Sequence, residues 1–276
     1  MTPEAALRRA AAQLRGAQLL RRLHAGPLKS SWLVGRGTER YVLRIDEPLA
    51  ARFVPDRRAE FAAWSAAAAV GLAPEPLLLL PGPPAVLVTR HAPGLAWRPA
   101  DLARPGRIEA LAGLLRRLHE ARLPGRPLDL EASLAGYARS AGTAWACRLA
   151  RSAQRLMARC FQGPRVLCHH DPIAGNVVGL RRPLLIDWEY AALGDPLFDL
   201  AVVSRHHGLP RALEGRLLAA YFGGAGRVPR ARFATQQRLY DHVLCLWLLA
   251  LADAGPLAAA QQRQLETVSR RLNNKL

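Results

Sequence analysis

One short stretch of this chain concentrates polar chemistry between hydrophobic flanks: Cys168 to Tyr190, CHHDPIAGNVVGLRRPLLIDWEY. Asp171 stands five residues before Asn176, and Asp187 closes the apolar run PLLI. Two carboxylates and a carboxamide this close together are costly to take out of water unless something pairs with them. A core strand has no use for such groups, and a solvated loop would not need apolar flanks. The arrangement makes sense if the flanks hold the polar side chains rigid for presentation at a cleft. Gly175 permits the tight turn that leads Asn176 into VVGL, and Asp187 lies at a strand end.

The elements that must position these groups follow from patterning. Thr2 caps a first helix with Pro3 at its first position, predicted to run to about Leu23. SSWLVGRGTERYVLRI reads as a β-hairpin, with runs 31–35 and 40–45 flanking a turn at Arg36 and Gly37. Asp56 caps the next helix, RRAEFAAWSAAAAV, which Gly71 ends in the left-handed conformation before Pro74. Two short apolar strands, PLLLL and AVLVT, are split by the breaker PGPP at 81–84. After His91-Ala92-Pro93-Gly94 the texture becomes helical, and RIEALAGLLRRLHEARL places Ile108, Leu111, Leu114, Leu115 and Leu118 on one face. A β-plus-helix lobe, residues 1–92, is therefore expected before a larger, mostly helical lobe, 93–276.

Composition bounds the possibilities. Half of the 276 residues are hydrophobic, mostly leucine and alanine, while aromatics make up 6%, which favours helices over a β-sandwich. The net charge of +18 suggests an acidic partner, such as nucleic acid, an anionic membrane or a phosphorylated ligand. Arginine pairs at 8–9, 21–22, 57–58, 116–117, 181–182 and 270–271 are scattered rather than gathered with aromatics, which argues against nucleic acid. There are only two lysines, Lys29 and Lys275. Cysteines 147, 160, 168 and 245 lack metal-site spacing and read as buried thiols of a reducing compartment. No apolar run reaches membrane-spanning length without a charge, so the expectation is a soluble cytoplasmic protein without a membrane span.

The order helix, hairpin, helix, two strands, connector, helical lobe precedes LCHHDPIAGNVV, LLIDWEYAALGDPLFDLA and, upstream of both, LAGLLRRLH. Together these resemble the kinase-like phosphotransferases: the aminoglycoside phosphotransferase, choline kinase and bacterial thiamine kinase family. The resemblance spans roughly residues 20 to 250 and implies an α+β, protein-kinase-like two-lobe fold. It also implies ATP and Mg²⁺. By carry-over Asp171 accepts or orients the proton of the attacking hydroxyl, while Asn176 and Asp187 hold the metal. His169 braces the loop backbone, Asp199 braces that loop too, and Asp195 caps the following turn. Arg44 in YVLRI takes the place of the usual strand lysine and pairs with Glu60 to face the phosphates. The phosphate-covering loop falls at AGPLKSSW, with Gly26, Ser30, Ser31 and Lys29 as phosphate contacts. Adenine falls near Thr89 to His91.

The acceptor is the least determined. Choline-type relatives hold a cationic headgroup with ring faces and carboxylates. Here Glu189, Tyr190, Tyr240 and Trp247 are the candidates, although Leu239, Val243, Leu246, Trp247 and Ala250 also form a plain packing stripe, and Trp188 and His119 read as core. The resemblance leaves three readings. One is a kinase of a small cationic alcohol of choline, ethanolamine or thiamine type; another is an aminoglycoside or sugar kinase. The third is a non-catalytic, basic nucleic-acid-binding protein on a kinase scaffold.

Overall fold

The computed structural model describes residues 1–54, 56–158 and 164–273. The chain forms two compact units: Met1–Arg126 with Val166–Leu193, and Pro127–Arg165 with Gly194–Leu276. The expected boundary at residue 92 lies inside the first unit.

The first unit opens with α1 (Pro3–Arg9), capped by the Thr2 hydroxyl, and α2 (Ala11–Leu14). The expected long helix stops there. Gly16 takes a positive φ of 76°, and Gln18–Ala25 form strand β1 instead. AQLLRRLHA has good helix propensity, but the neighbouring strand offers a ladder of backbone hydrogen bonds, and tertiary pairing overrides propensity. β2 (Lys29–Arg36) and β3 (Glu39–Asp46) form the expected hairpin. A short α3 (Ala50–Phe53) leads to α4 (Arg57–Ala69), where the Asp56 carboxylate accepts from the N–H groups of Arg58 and Ala59. With β4 (Pro76–Leu80) and β5 (Val86–Arg90) the sheet runs β1-β2-β3-β5-β4, antiparallel throughout.

Strand alternation sends Tyr41, Leu43 and Ile45 to one face, where they join Val34, Val86 and Val88 under Ala6, Ala10 and Leu14 of the N-terminal helices. Arg44 is left on the other face. The connector after β5 is pinned to the second part of the unit. Trp97 N–H donates to the Val177 carbonyl at 2.9 Å, and its indole N–H to the Gly179 carbonyl at 2.7 Å. Gly94 takes a positive φ of 103°, and a Cβ there would come within 3.2 Å of the Gly179 Cα, so glycine suits this close approach of two backbones.

α5 (Arg107–Glu120) buries Ile108, Leu111, Leu114, Leu115 and Leu118 completely, as its 3.6-residue pattern requires, and packs on β6 (Val166–Cys168). β7 (Val177–Val178) pairs with β8 (Leu184–Leu185), and β9 (Ala192–Gly194) lies beside β6.

The second unit is helical: α6 (Leu130–Ala141), α7 (Ala144–Met157), α8 (Pro196–His206), α9 (Arg211–Phe222), α10 (Arg230–Ala254) and α11 (Ala259–Asn273). The long α10 packs against α6, α7, α8 and α11. Asp195 caps α8 through the Leu197 N–H and also accepts from Gln236 Nε2 at 2.8 Å. The architecture is α+β, and among the described residues no helix is long and apolar enough to cross a membrane. The cysteines are not uniformly buried. Cys168 and Cys245 are, but Cys147 is exposed because it sits on the outer face of α7; Cys160 lies outside the described residues. Burial pushes the Cys245 thiol up to about 11.

Candidate active site

All the site chemistry described here belongs to the first unit. From β3, Arg44 reaches Glu60 in the first turn of α4 with two parallel bonds, Nη1 to Oε1 at 2.6 Å and Nη2 to Oε2 at 2.7 Å. Both side chains are buried, so this fork-on-fork contact is shielded from solvent. Burial alone would raise the Glu60 carboxyl; the guanidinium groups of Arg44 and Arg57 hold it below its usual range. Arg57, one turn earlier on α4, is the hub of the cluster. It grips Asp46 at 2.7 and 2.8 Å, Glu60 Oε2 at 2.6 Å and Glu189 Oε2 at 3.3 Å. It ties the end of β3, the start of α4 and the segment after β8 into one charged network.

The loop between β6 and β7 is built around His169, which is fully buried. Its Nδ1 accepts from the Asp171 N–H at 3.3 Å, so Nε2 carries the proton and donates to the Ile186 carbonyl at 3.0 Å. Its ring meets the buried Trp188 edge-on, with centroids 4.9 Å apart. His169 thus fixes both the loop that presents Asp171 and the strand end that presents Asp187. Asn176 closes the loop: its Nδ2 donates to the Asp171 carbonyl at 2.9 Å and to Asp171 Oδ2 at 2.8 Å. That bonding leaves Oδ1 as the amide's acceptor atom. The backbone N–H of Ile186 donates to the Asn176 carbonyl at 2.9 Å, placing Asn176 beside the residue that precedes Asp187. His170 and Asp187 both adopt positive φ, 62° and 71°, a conformation non-glycine residues take where surrounding contacts impose it.

Lys29, at the start of β2, completes the cluster. Its Nζ lies 2.5 Å from both carboxylate oxygens of Asp187 and 2.9 Å from Glu189 Oε2. Arg44 Nη1 stands 3.6 Å from Asp187 Oδ1. Burial would lift the Asp187 carboxyl, but Lys29 and Arg44 bring it down to about 2, so it is a carboxylate. Burial would likewise lower Lys29, and Asp187 and Glu189 hold it above its usual range. Asp171 is pushed well up, first by burial and then by the charges of Asp187 and Glu189. Burial and Asp187 also raise Glu189.

The donor set fits a hard divalent cation. Asp187 offers an ionised carboxylate, Asn176 a neutral amide oxygen, and a cation, the Lys29 ammonium, already rests on Asp187. Arg44 Nε is buried and has no hydrogen-bond partner among the described residues.

Other expectations fare differently. Ser30 and Ser31 lie not in a loop but inside β2, opposite Ile45 and Arg44; the connector from β1 is only Gly26–Leu28, closed by Gly26 N–H on the Lys29 carbonyl at 3.0 Å. The long AGPLKSSW loop is thereby corrected: β-branched and aromatic neighbours make Lys29–Arg36 a full-length strand. Thr89 is buried within β5, and the N–H groups of Arg90 and His91 already serve the Glu75 and Arg40 carbonyls. Tyr190 is half-buried in the first unit. Tyr240 and Trp247 stand on α10 in the second unit, the former buried with its hydroxyl 2.9 Å from His206 Nδ1. Trp188, His119 and Asp199 are buried. Sequence reading missed Arg57 and Asp46. The available signal was Arg57 one helical turn before Glu60.

The chain is similar to known proteins over most of its length. Residues 19–236 match the model of the phosphotransferase enzyme family. A choline/ethanolamine kinase family protein from Mesorhizobium loti superposes with a TM-score of 0.76 at 26% identity, covering 98% of this chain and 94% of that one. A structure of LicA in complex with AMP gives a TM-score of 0.79 at 16% identity, covering 98% and 97%. Protein LicA of Haemophilus influenzae is 33% identical over 87 residues, 30% of this chain. The match spans 33% of that curated relative's own length. Because the family match takes in well over half of its residues, including every member of the charged cluster, this chain belongs to the phosphotransferase enzyme family.

Proposed function

We propose that the protein is a kinase that moves the γ-phosphate of ATP to the hydroxyl of a small cationic alcohol of choline, ethanolamine or thiamine type. The observation that carries this reading is the convergence, in one unit, of a braced acid–amide pair and a buried Arg–Glu fork. Phosphoryl transfer asks little covalent chemistry of a protein; it asks for an oriented hydroxyl and for charge neutralisation on the phosphates. Asp171 receives or orients the hydroxyl proton. Its Asn176 bond fixes the carboxylate, and its raised affinity for protons suits that task. Arg44, held by Glu60, presents positive charge to the nucleotide phosphates. Asn176 and Asp187 would hold Mg²⁺, which supplies neutralisation of charge on the phosphate oxygens. The AMP-bound LicA relative supports a nucleotide as phosphoryl donor.

The cationic acceptor rests on the choline/ethanolamine kinase family relative. Glu189 is not an open counter-charge, because Lys29 and Arg57 already contact it. The test is ATP consumption with choline, ethanolamine, thiamine, neutral sugars and kanamycin at equal concentrations. Turnover confined to the first three supports the proposal; turnover only with kanamycin or sugars replaces the acceptor while keeping the kinase. No turnover with any alcohol counts against a kinase altogether.

A further inference from the structure

Lys29 holds Asp187 in an unusual way. Its ammonium sits 2.5 Å from both carboxylate oxygens and 2.9 Å from Glu189, while its side chain is only 12% exposed. A rim salt bridge touches one oxygen and stays solvated; this contact instead has a cation seated between two carboxylates inside the protein. Resting on the metal assignment above, we infer that the Lys29 ammonium is a built-in stand-in for the metal, which a divalent ion must displace from Asp187 before it can bind there.

Three features carry the argument. Both Asp187 oxygens are committed to Lys29, and a metal needs one of them at about 2.1 Å. An ammonium and a divalent ion cannot share that carboxylate edge without strong like-charge repulsion. Of Lys29 and Arg44, the cations beside Asp187 among the described residues, Arg44 cannot withdraw, since its fork is locked on Glu60. Lys29 can, because a flexible four-carbon stem carries it from the first residue of β2. Its departure has two consequences. Glu189 loses Lys29 and keeps Arg57, and an ammonium becomes available to anionic oxygens. Metal entry and phosphate binding are then coupled, each favouring the other. The protein without nucleotide is correspondingly protected against picking up metal alone.

The test uses the full chain without nucleotide. Mn²⁺ is titrated by calorimetry into the wild type, Lys29→Met and Lys29→Arg. Lys29→Met should bind at least about tenfold more tightly than the wild type, within the usual span of coupling effects, whereas Lys29→Arg, which keeps the charge, should stay close to it. Equal affinity of wild type and Lys29→Met overturns the inference. A second measurement needs no variant. Lys29 and Lys275 are the only lysines, so acylation of each side chain can be read separately by mass spectrometry, with Lys275 as the internal standard. Saturating Mn²⁺ should speed acylation of Lys29 relative to Lys275; an unchanged ratio overturns the inference even if Lys29→Met fails to fold. Mn²⁺ binding to none of the proteins, with a non-hydrolysable ATP analogue present, would overturn both this inference and the metal assignment beneath it. Equal affinities overturn this inference alone.

Discussion

Replacing Glu60 by leucine isolates what the buried fork does. Arg44 is 6% exposed and Glu60 2%, so the guanidinium loses its main counter-charge in a place water barely reaches. With charge centres about 4 Å apart and an effective dielectric near 20, the lost attraction is about 4 kcal/mol. Breaking one side of a buried pair typically costs about 3–5 kcal/mol, in line with that figure. Asp187, 3.6 Å from Arg44, offers partial compensation, and Arg57 retains Asp46 and Glu189. We expect Glu60→Leu to lose about 3 kcal/mol in urea-induced unfolding. The double variant Arg44→Met/Glu60→Leu should recover most of that loss, because two apolar side chains leave no stranded charge. Calorimetry should show the opposite pattern for nucleotide: neither variant regains wild-type affinity, since the double variant lacks the positive charge altogether. A Glu60→Leu loss below about 1 kcal/mol, or a double variant less stable than the single, would refute the reasoning about a stranded buried charge.

Asp171→Asn should fold and bind Mg-nucleotide but turn over at least about 10²-fold more slowly, the lower end for a general base; wild-type kcat would remove Asp171 from the mechanism. Asp187→Ala should weaken metal-dependent nucleotide binding itself, and equal Mg-nucleotide affinity by calorimetry would exclude the metal role. Acid should destabilise the second unit through His206 and His207. Burial holds His206 down at about 4, and burial with the His206 charge holds His207 at about 3, against 6.5 when unfolded. The unfolded chain binds the extra protons, so the stability they contribute is complete above pH 6.5 and is lost as pH falls toward 4 and 3. By pH 5 the loss from His206 alone is about 2 kcal/mol. A urea midpoint as high at pH 5 as at pH 7.5 would contradict it, and His206→Gln should flatten the dependence.

Where a feature depends only on near neighbours in the chain, much of it was legible in the sequence. The α5 stripe of Ile108, Leu111, Leu114, Leu115 and Leu118 is entirely buried, the Asp56 and Asp195 caps form, and Gly71 takes its left-handed place. Each depends on residues within a few positions of one another. The spacing of Asp171, Asn176 and Asp187 was legible for the same reason, since one loop and one short strand pair carry them. Where a segment's state depends on a distant partner, local reading failed. Residues 18–25 favour helix on their own and become a strand only because β2 pairs with them. Arg57 looks like a solvated first-turn arginine until Asp46 and Glu189 close around it. Lys29 and Asp187 are separated by 158 positions in the chain, and nothing in either neighbourhood encodes their contact. Charge pairing at that separation follows from which side chains the fold buries together. Burial makes the pairing obligatory, because an ammonium taken out of water must find a carboxylate.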